Sequence, residues 1–301
     1  MAAKKKENAL LDHVDAVKKG KRAFEDAFQG VSRMILDAGI QKITVKGKST
    51  YQFNLFSQGN KHLVGMYDEI NSFVSFVKDA SEGGSSREMA FVLVGEPGNG
   101  KTFFVEYLCD RYREFLSAPE NQKFTFRFIH LDQLGGYGQI TAIESQTYED
   151  PMILAMSLDT SKDASMAYLA RKFKFSDRQI ENIYTRYRPL GACSAYIWNQ
   201  IREFCDNNID KMLSFVEVTP VPLIESLGTI TGKYPAKDKI TSSAVDLIGE
   251  ESIQRLLHIA DTNNPYRFDL RRGALARVAG GGIPFADEIY KNKKDLVQVY
   301  L

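Results

Sequence analysis

Eight consecutive residues constrain this chain more than any others: Gly95-Glu96-Pro97-Gly98-Asn99-Gly100-Lys101-Thr102. They spell G-x-x-x-x-G-K-T, the P-loop pattern, whose glycines let backbone N–H groups turn inward around a polyphosphate. The flanks are those the pattern needs. Ala90-Phe91-Val92-Leu93-Val94 is a short apolar run of strand character, and Phe104, Leu108 and Phe115 after the loop fall close to one helical face. The new helix would point its positive end at the same charge. Lys101 would reach the β- and γ-phosphates and Thr102 would hold Mg²⁺. The pattern implies an α/β chain with a site for ATP or GTP.

A length of 301 residues suits one large domain or two ordinary ones. Hydrophobic content of 44% with 26% charge places the chain among soluble globular proteins. A net charge of +1 gives no global reason to expect nucleic acid or an anionic membrane as partner. The three cysteines, Cys109, Cys193 and Cys205, show no C-x-x-C spacing, which points to reduced thiols and a cytoplasmic protein. No apolar run reaches the length of a membrane span. Ala2-Ala3-Lys4-Lys5-Lys6 is followed by no apolar signal core, so residues 1–20 read as a frayed, solvated start.

A helical pattern begins at Arg22, with Phe24, Phe28, Val31, Met34 and Ile35 on one face and Gly39 as its stop. Gln41 to Phe56 looks extended. Met66, Ile70, Phe73, Val74 and Val77 mark a second helix, and Ser81 to Ser86 is a flexible link. Phe124 to His130 alternates as a strand with Phe124, Phe126 and Phe128 on its buried side, and His130 has no metal partner at ligand spacing. Leu134-Gly135-Gly136-Tyr137-Gly138 reads as a mobile loop, because no lysine or helix start follows to make a second phosphate loop. Glu149-Asp150 before Pro151 reads as a turn, with a Mg²⁺ contact as the alternative. Residues 160–210 are mostly helical, and Ser176-Asp177-Arg178-Gln179 resembles a capping box. Tyr184-Thr185-Arg186-Tyr187-Arg188 interleaves aromatic and basic residues that could clamp a nucleic acid, but the near-neutral charge favours a solvated basic helix side. Met212 to Val221 has strand character, Ser252 to Ala260 is helical, and Arg267, Arg271, Arg272 and Arg277 read as solvated helix charges, with a phosphate or a neighbouring subunit as the alternative contact.

Near the end, Gly280 to Ala286 runs into Asp287-Glu288. In P-loop ATPases a strand beside the P-loop strand ends in such an acidic pair, the Walker B motif. Asp287 would hold Mg²⁺ and Glu288 would polarise the attacking water. Pro284 and the glycines make the strand weak, and a turn before a helix is the alternative.

Taken in order, these residues resemble the PrkA-type serine protein kinases, whose N-terminal part is an AAA+-like ATPase domain. Phe24-Glu25-Asp26 with Met34-Ile35-Leu36-Asp37-Ala38-Gly39 resembles the family's opening helix, and Tyr51-Gln52-Phe53 with Leu55-Phe56 its lead-in to the core. Gly273, Leu275, Arg277, Gly281, Ile283, Phe285 and Asp287 resemble its G-x-L-x-R…G-x-I-x-F-x-E pattern, and Lys294-Asp295-Leu296 continues as its helix does. The resemblance covers roughly residues 22–301. It implies a three-layer P-loop NTPase core over 61–301, a helical and extended lead-in over 1–60, and a helical insertion at about 134–210. It implies ATP and Mg²⁺ as cofactors, a protein substrate, a homo-oligomeric ring, and either serine kinase activity or a remodelling motor that hydrolyses ATP. A segment like Leu63–Met66 flanks the adenine in such ATPases, with a helix N-terminus and turn glycine as the other reading. The family's P-loop is closer to G-P-V-G-S-G-K-S, and both versions satisfy the chemistry. The family usually continues for several hundred residues, so the core is expected to be incomplete, with its sensor, lid and arginine finger beyond Leu301. The kinase signatures H-R-D, D-F-G and V-A-I-K are absent from the sequence.

Overall fold

The computed structural model describes residues 9–59, 62–63, 65–224, 228–234, 244–252, 257–267 and 269–287. Its first element is a helix within the stretch expected to be frayed. Helix α1 (Ala9–Lys18) turns Leu10, His13 and Val14 inward. Leu10, Val14 and Val17 recur at i, i+4 and i+7, an apolar stripe hidden among lysines, and this corrects the expectation of a solvated start for residues 9–18. Helix α2 (Ala27–Asp37) begins at a capping box: Gln29 N donates to the Asp26 carboxylate at 2.9 Å and Asp26 N donates to the Gln29 side chain at 3.2 Å. The extended stretch after it is an antiparallel hairpin of β1 (Ile40–Val45) and β2 (Lys48–Phe53). Its two-residue turn takes positive φ at Lys46 (49°) and Gly47 (78°), the combination whose twist matches paired strands. Next come α3 (Asn54–Ser57), α4 (Tyr67–Ser81) and α5 (Lys101–Ser117).

The second half opens with β3 (Phe124–Ile129) and β4 (Ala142–Glu144). Helices α6 (Pro151–Ala155), α7 (Lys162–Phe173), α8 (Asp177–Arg186), α9 (Ala192–Phe204) and α10 (Ile209–Met212) follow, and α8 starts at the capping box of Ser176 and Gln179. The chain continues through β5 (Val216–Pro220), β6 (Thr231–Tyr234), α11 (Ala244–Ile248), β7 (Gly249–Ser252), β8 (Asp269–Arg272), α12 (Ala274–Val278) and β9 (Ile283–Ala286). Of the helix expected over Ser252–Ala260, residues 253–256 lie outside the described residues, and 257–258 form a turn. None of the described helices is long and apolar enough to cross a membrane.

The chain divides into two compact units. The first comprises Met1–Phe24, Ser117–Tyr234 and Ser243–Pro284. Its three-stranded antiparallel sheet, in the order β4-β3-β5, turns Phe126 and Phe128 into the core, where Phe128 stacks on Trp198 at 6.1 Å. Leu10, Leu154, Met166, Leu169, Ile183, Ile197 and Ile201 pack into the same cluster, so much of the segment expected as an insertion supplies core. The Trp198 indole N–H donates to Ser157 O at 2.6 Å. The loop expected to be mobile is anchored here. Tyr137 is 1% exposed and hydrogen-bonds Gln200, and Ala260 N donates to Gly136 O at 2.9 Å. A buried aromatic at the loop's centre outweighs the freedom its glycines confer.

The second unit comprises Glu25–Leu116, Pro235–Ser242 and Phe285–Leu301. Aromatic rings hold its described part together. Phe73 of α4 meets Phe104 of α5 edge to face at 5.2 Å, Phe56 stacks on Phe104 at 5.7 Å, and Tyr107 donates its hydroxyl to Leu55 O at 2.6 Å. Tyr112 is fully buried beside Gly30 of α2.

The sheets are small, and the fold is mixed α/β without a barrel. Residues 90–96 form no strand, which corrects the expected strand at Ala90–Val94. Val92 is 48% and Val94 87% exposed, and only Phe91 is held, its ring 5.2 Å from Phe73 and 5.3 Å from Phe76. Apolar composition confers strand propensity, but a strand exists only when another supplies its hydrogen bonds. A strand does form before Asp287, as β9, but its partner among the described residues is β6 and not a P-loop strand.

Candidate functional site

The candidate site is built on the N-terminus of α5, where an apolar face fixes the helix and the loop before it is left open. Phe104, Tyr107, Leu108, Tyr112 and Leu116 are buried, so the helix axis is set by packing on one side. The helix begins at Lys101, directly after the loop. Gly98 (φ 85°) and Gly100 (φ 75°) hold left-handed conformations that a side chain would strain. A Cβ on Gly98 would meet nothing within 4 Å, so the cradle is open. Among the described residues, the backbone bonds at the loop are Asn99 N to Glu96 O at 3.4 Å and Phe104 N to Gly100 O at 2.8 Å. The amides of Gly98, Gly100, Lys101, Thr102 and Phe103 therefore have no acceptor among the described residues. Such a row of unsatisfied donors at a positive helix end fits a polyphosphate.

Lys101 folds back over its own loop. Its Nζ donates to Gly95 O and to Glu96 O, each at 2.7 Å. No carboxylate pairs with it among the described residues, so its charge is satisfied only by two carbonyls. The side chains of Glu96, Pro97, Asn99 and Thr102 are exposed. Met66, at the N-terminus of α4, brings its sulfur to 3.8 Å from the Cβ position of Gly100. Of the segment compared with an adenine-flanking element, Met66 thus lies against the P-loop.

Asp287 follows β9 directly and is partly buried. It makes no hydrogen bond or ion pair to Gly95–Thr102 among the described residues, and Glu288 lies outside them. The sheet contact of β9 is anchored by Ile283 N donating to Ile230 O at 2.6 Å. The Glu149-Asp150 pair serves as a turn: Asp150 accepts from Met152 N at 2.8 Å as the N-cap of α6, and Glu149 accepts from Gly191 N at 2.7 Å. His130, at φ 60°, sets its ring against Phe215 at 6.4 Å. In the Tyr184–Arg188 stretch, Arg186 is spent on Phe24 O, and Tyr184 donates to Asp163 at 2.9 Å, so neither is a free nucleic-acid contact.

Sequence reading did not single out the charged side chains on the outer face of the first unit's sheet. The only local signal was the alternation of Phe126, Arg127 and Phe128, which puts the arginine opposite two core rings. No protein-family model, curated protein or solved structure matches this chain.

Proposed function

We propose that the chain is the ATP-binding, AAA+-like P-loop module of a PrkA-type serine protein kinase, acting in the cytoplasm on a protein substrate and assembling into a homo-oligomeric ring. The observation that carries the nucleotide reading is the open glycine cradle ending on Lys101 at the first turn of α5. The unpartnered amides of Gly98, Gly100, Lys101, Thr102 and Phe103 take the phosphate oxygens. Lys101 leaves the carbonyls of Gly95 and Glu96 and pairs with the β- and γ-phosphates, exchanging neutral acceptors for charged ones. Thr102 and Asp287 would hold Mg²⁺, which would supply neutralisation of the phosphate charge. Glu288 orients the nucleophile, a serine hydroxyl or a water. The acidic pair Asp287-Glu288 supports equally well a second reading, a remodelling motor in which that nucleophile is water.

Incubating the full-length gene product with γ-labelled ATP and a casein-type protein separates the readings. Label on serine supports the kinase, free phosphate alone supports the motor, and binding without either leaves a nucleotide-binding scaffold. Lys101→Ala is expected to weaken ATP binding about 10- to 100-fold, the worth of a charge-assisted contact. Unchanged affinity in that variant rejects the site.

A further inference from the structure

The outer face of the β4-β3-β5 sheet carries a row of charge in register. Arg127 on β3 faces Glu144 on β4 and Glu217 on β5. Facing side chains on neighbouring strands lie within reach of one another, so the arginine has two acidic candidates. It takes one: Arg127 Nε donates to Glu217 Oε2. The carboxylate of Glu144 accepts no hydrogen bond among the described residues. Arg272 of β8 lies beside it and is held from three directions. Its Nε donates to Gln146 O at 2.6 Å, its Nη2 donates to Ser145 O at 3.0 Å, and its guanidinium lies over the Tyr148 ring at 4.3 Å.

These groups border one open pocket of about 350 Å³, lined by Arg127, Glu144, Gln146, Tyr266, Leu270 and Arg272. That volume lies at the small end of the range of about 300–1,000 Å³ usual for small-molecule sites. The charges decide the class of ligand. Two guanidiniums whose orientation is already paid for by other contacts suit a planar carboxylate. Glu144, whose carboxylate lies in the field of Arg127 but accepts no hydrogen bond among the described residues, suits an ammonium. A simple anion would instead sit against Glu144 and be repelled. In a free α-amino acid the two charged groups are separated by one carbon, and Arg127 and Glu144 face each other across the strand pair. The pocket's size leaves room for a small neutral side chain against Leu270.

We propose that this pocket binds a free α-amino acid with a small neutral side chain, its carboxylate on Arg127 and Arg272 and its ammonium on Glu144. The proposal needs no nucleotide. Calorimetric titration of the whole chain with L-serine tests it. Saturable binding is expected, with a Kd on the order of 0.1–1 mM. N-acetyl-L-serine, which lacks the ammonium, and L-serinamide, which lacks the carboxylate, are each expected to bind at least about tenfold more weakly. Glu144→Gln and Arg127→Gln, both at a solvent-facing site, should weaken L-serine binding by a similar factor with an unchanged circular dichroism spectrum. No saturable binding of L-serine overturns the proposal. So does N-acetyl-L-serine or inorganic phosphate binding as tightly as L-serine, or full affinity in both folded variants.

Discussion

Burial on α5 pushes the Cys109 thiol up to about 12, because a thiolate there would lose its water. Cys205 is pushed up for the same reason. Both shifts disfavour the thiolate that attacks a disulfide reagent, and both side chains are buried. Both are expected to react only after denaturant is added, which a timed titration with an aromatic disulfide reads directly. A second pair of residues converts surroundings into pH dependence. The Tyr196 hydroxyl donates to the Asp261 carboxylate. Burial and that bond raise Tyr196 to about 12, and the same bond, with Asn263 N, holds Asp261 below its ordinary value. The bond needs a charged aspartate and a neutral tyrosine. Its contribution is therefore complete between about pH 4 and about pH 10, the ordinary values of the two groups. It fades as pH falls through the depressed value of Asp261, and as pH rises towards about 12. Tyr196→Phe should lower the melting midpoint by about 2–4 °C at pH 7. The difference should shrink at pH 3, and a constant offset across that range would show that the hydroxyl is not coupled to the carboxylate.

Helix α9 begins on a carboxylate 42 positions upstream in sequence. Glu149 accepts from Gly191 N at 2.7 Å, from the Ser194 hydroxyl, and from the Ser145 hydroxyl at 2.8 Å. It thereby satisfies an orphan amide and places negative charge at a positive helix end. Glu149→Ala is expected to cost about 1–3 kcal/mol, measured as a shift in the urea midpoint. The turn at Glu149-Asp150 was legible, because Pro151 follows and Asp150 caps its own helix. The partner of Glu149 was not, since nothing local links it to Gly191. The capping box at Ser176 was easier to read, because donor and acceptor are three residues apart; the one at Asp26 has the same spacing but was not singled out. Residues 90–94 show the opposite case. Their composition is that of a strand, yet a ladder partner is a long-range matter and the described residues supply none.

Across the whole molecule, the largest discrepancy concerns the N-terminal segment. Composition made residues 1–20 look solvated, but Leu10 and Val14 are fully buried in the first unit's core. The side chain of His13 lies 3.7 Å from Asp150, and the Arg22 guanidinium sits 3.8 Å over the Phe124 ring. Leu10→Ala should cost about 2–5 kcal/mol, as for other large-to-small changes in a packed core. A loss below about 0.5 kcal/mol, the scale of surface changes, would show that α1 does not belong to the core.

By itself the sequence determined what neighbouring residues can settle alone. The P-loop from Gly95 to Thr102 carries its own amides and the glycines that admit left-handed backbone, and the apolar spacing of α2, α4 and α5 names their buried faces. Only the tertiary structure decided which edges are paired. It put β9 on β6, left residues 90–96 without a ladder, and set Arg127, Glu144 and Arg272 around one pocket. The physical reason is range: backbone geometry and helical periodicity act over a few residues, whereas strand pairing and side-chain neighbours depend on how distant segments pack.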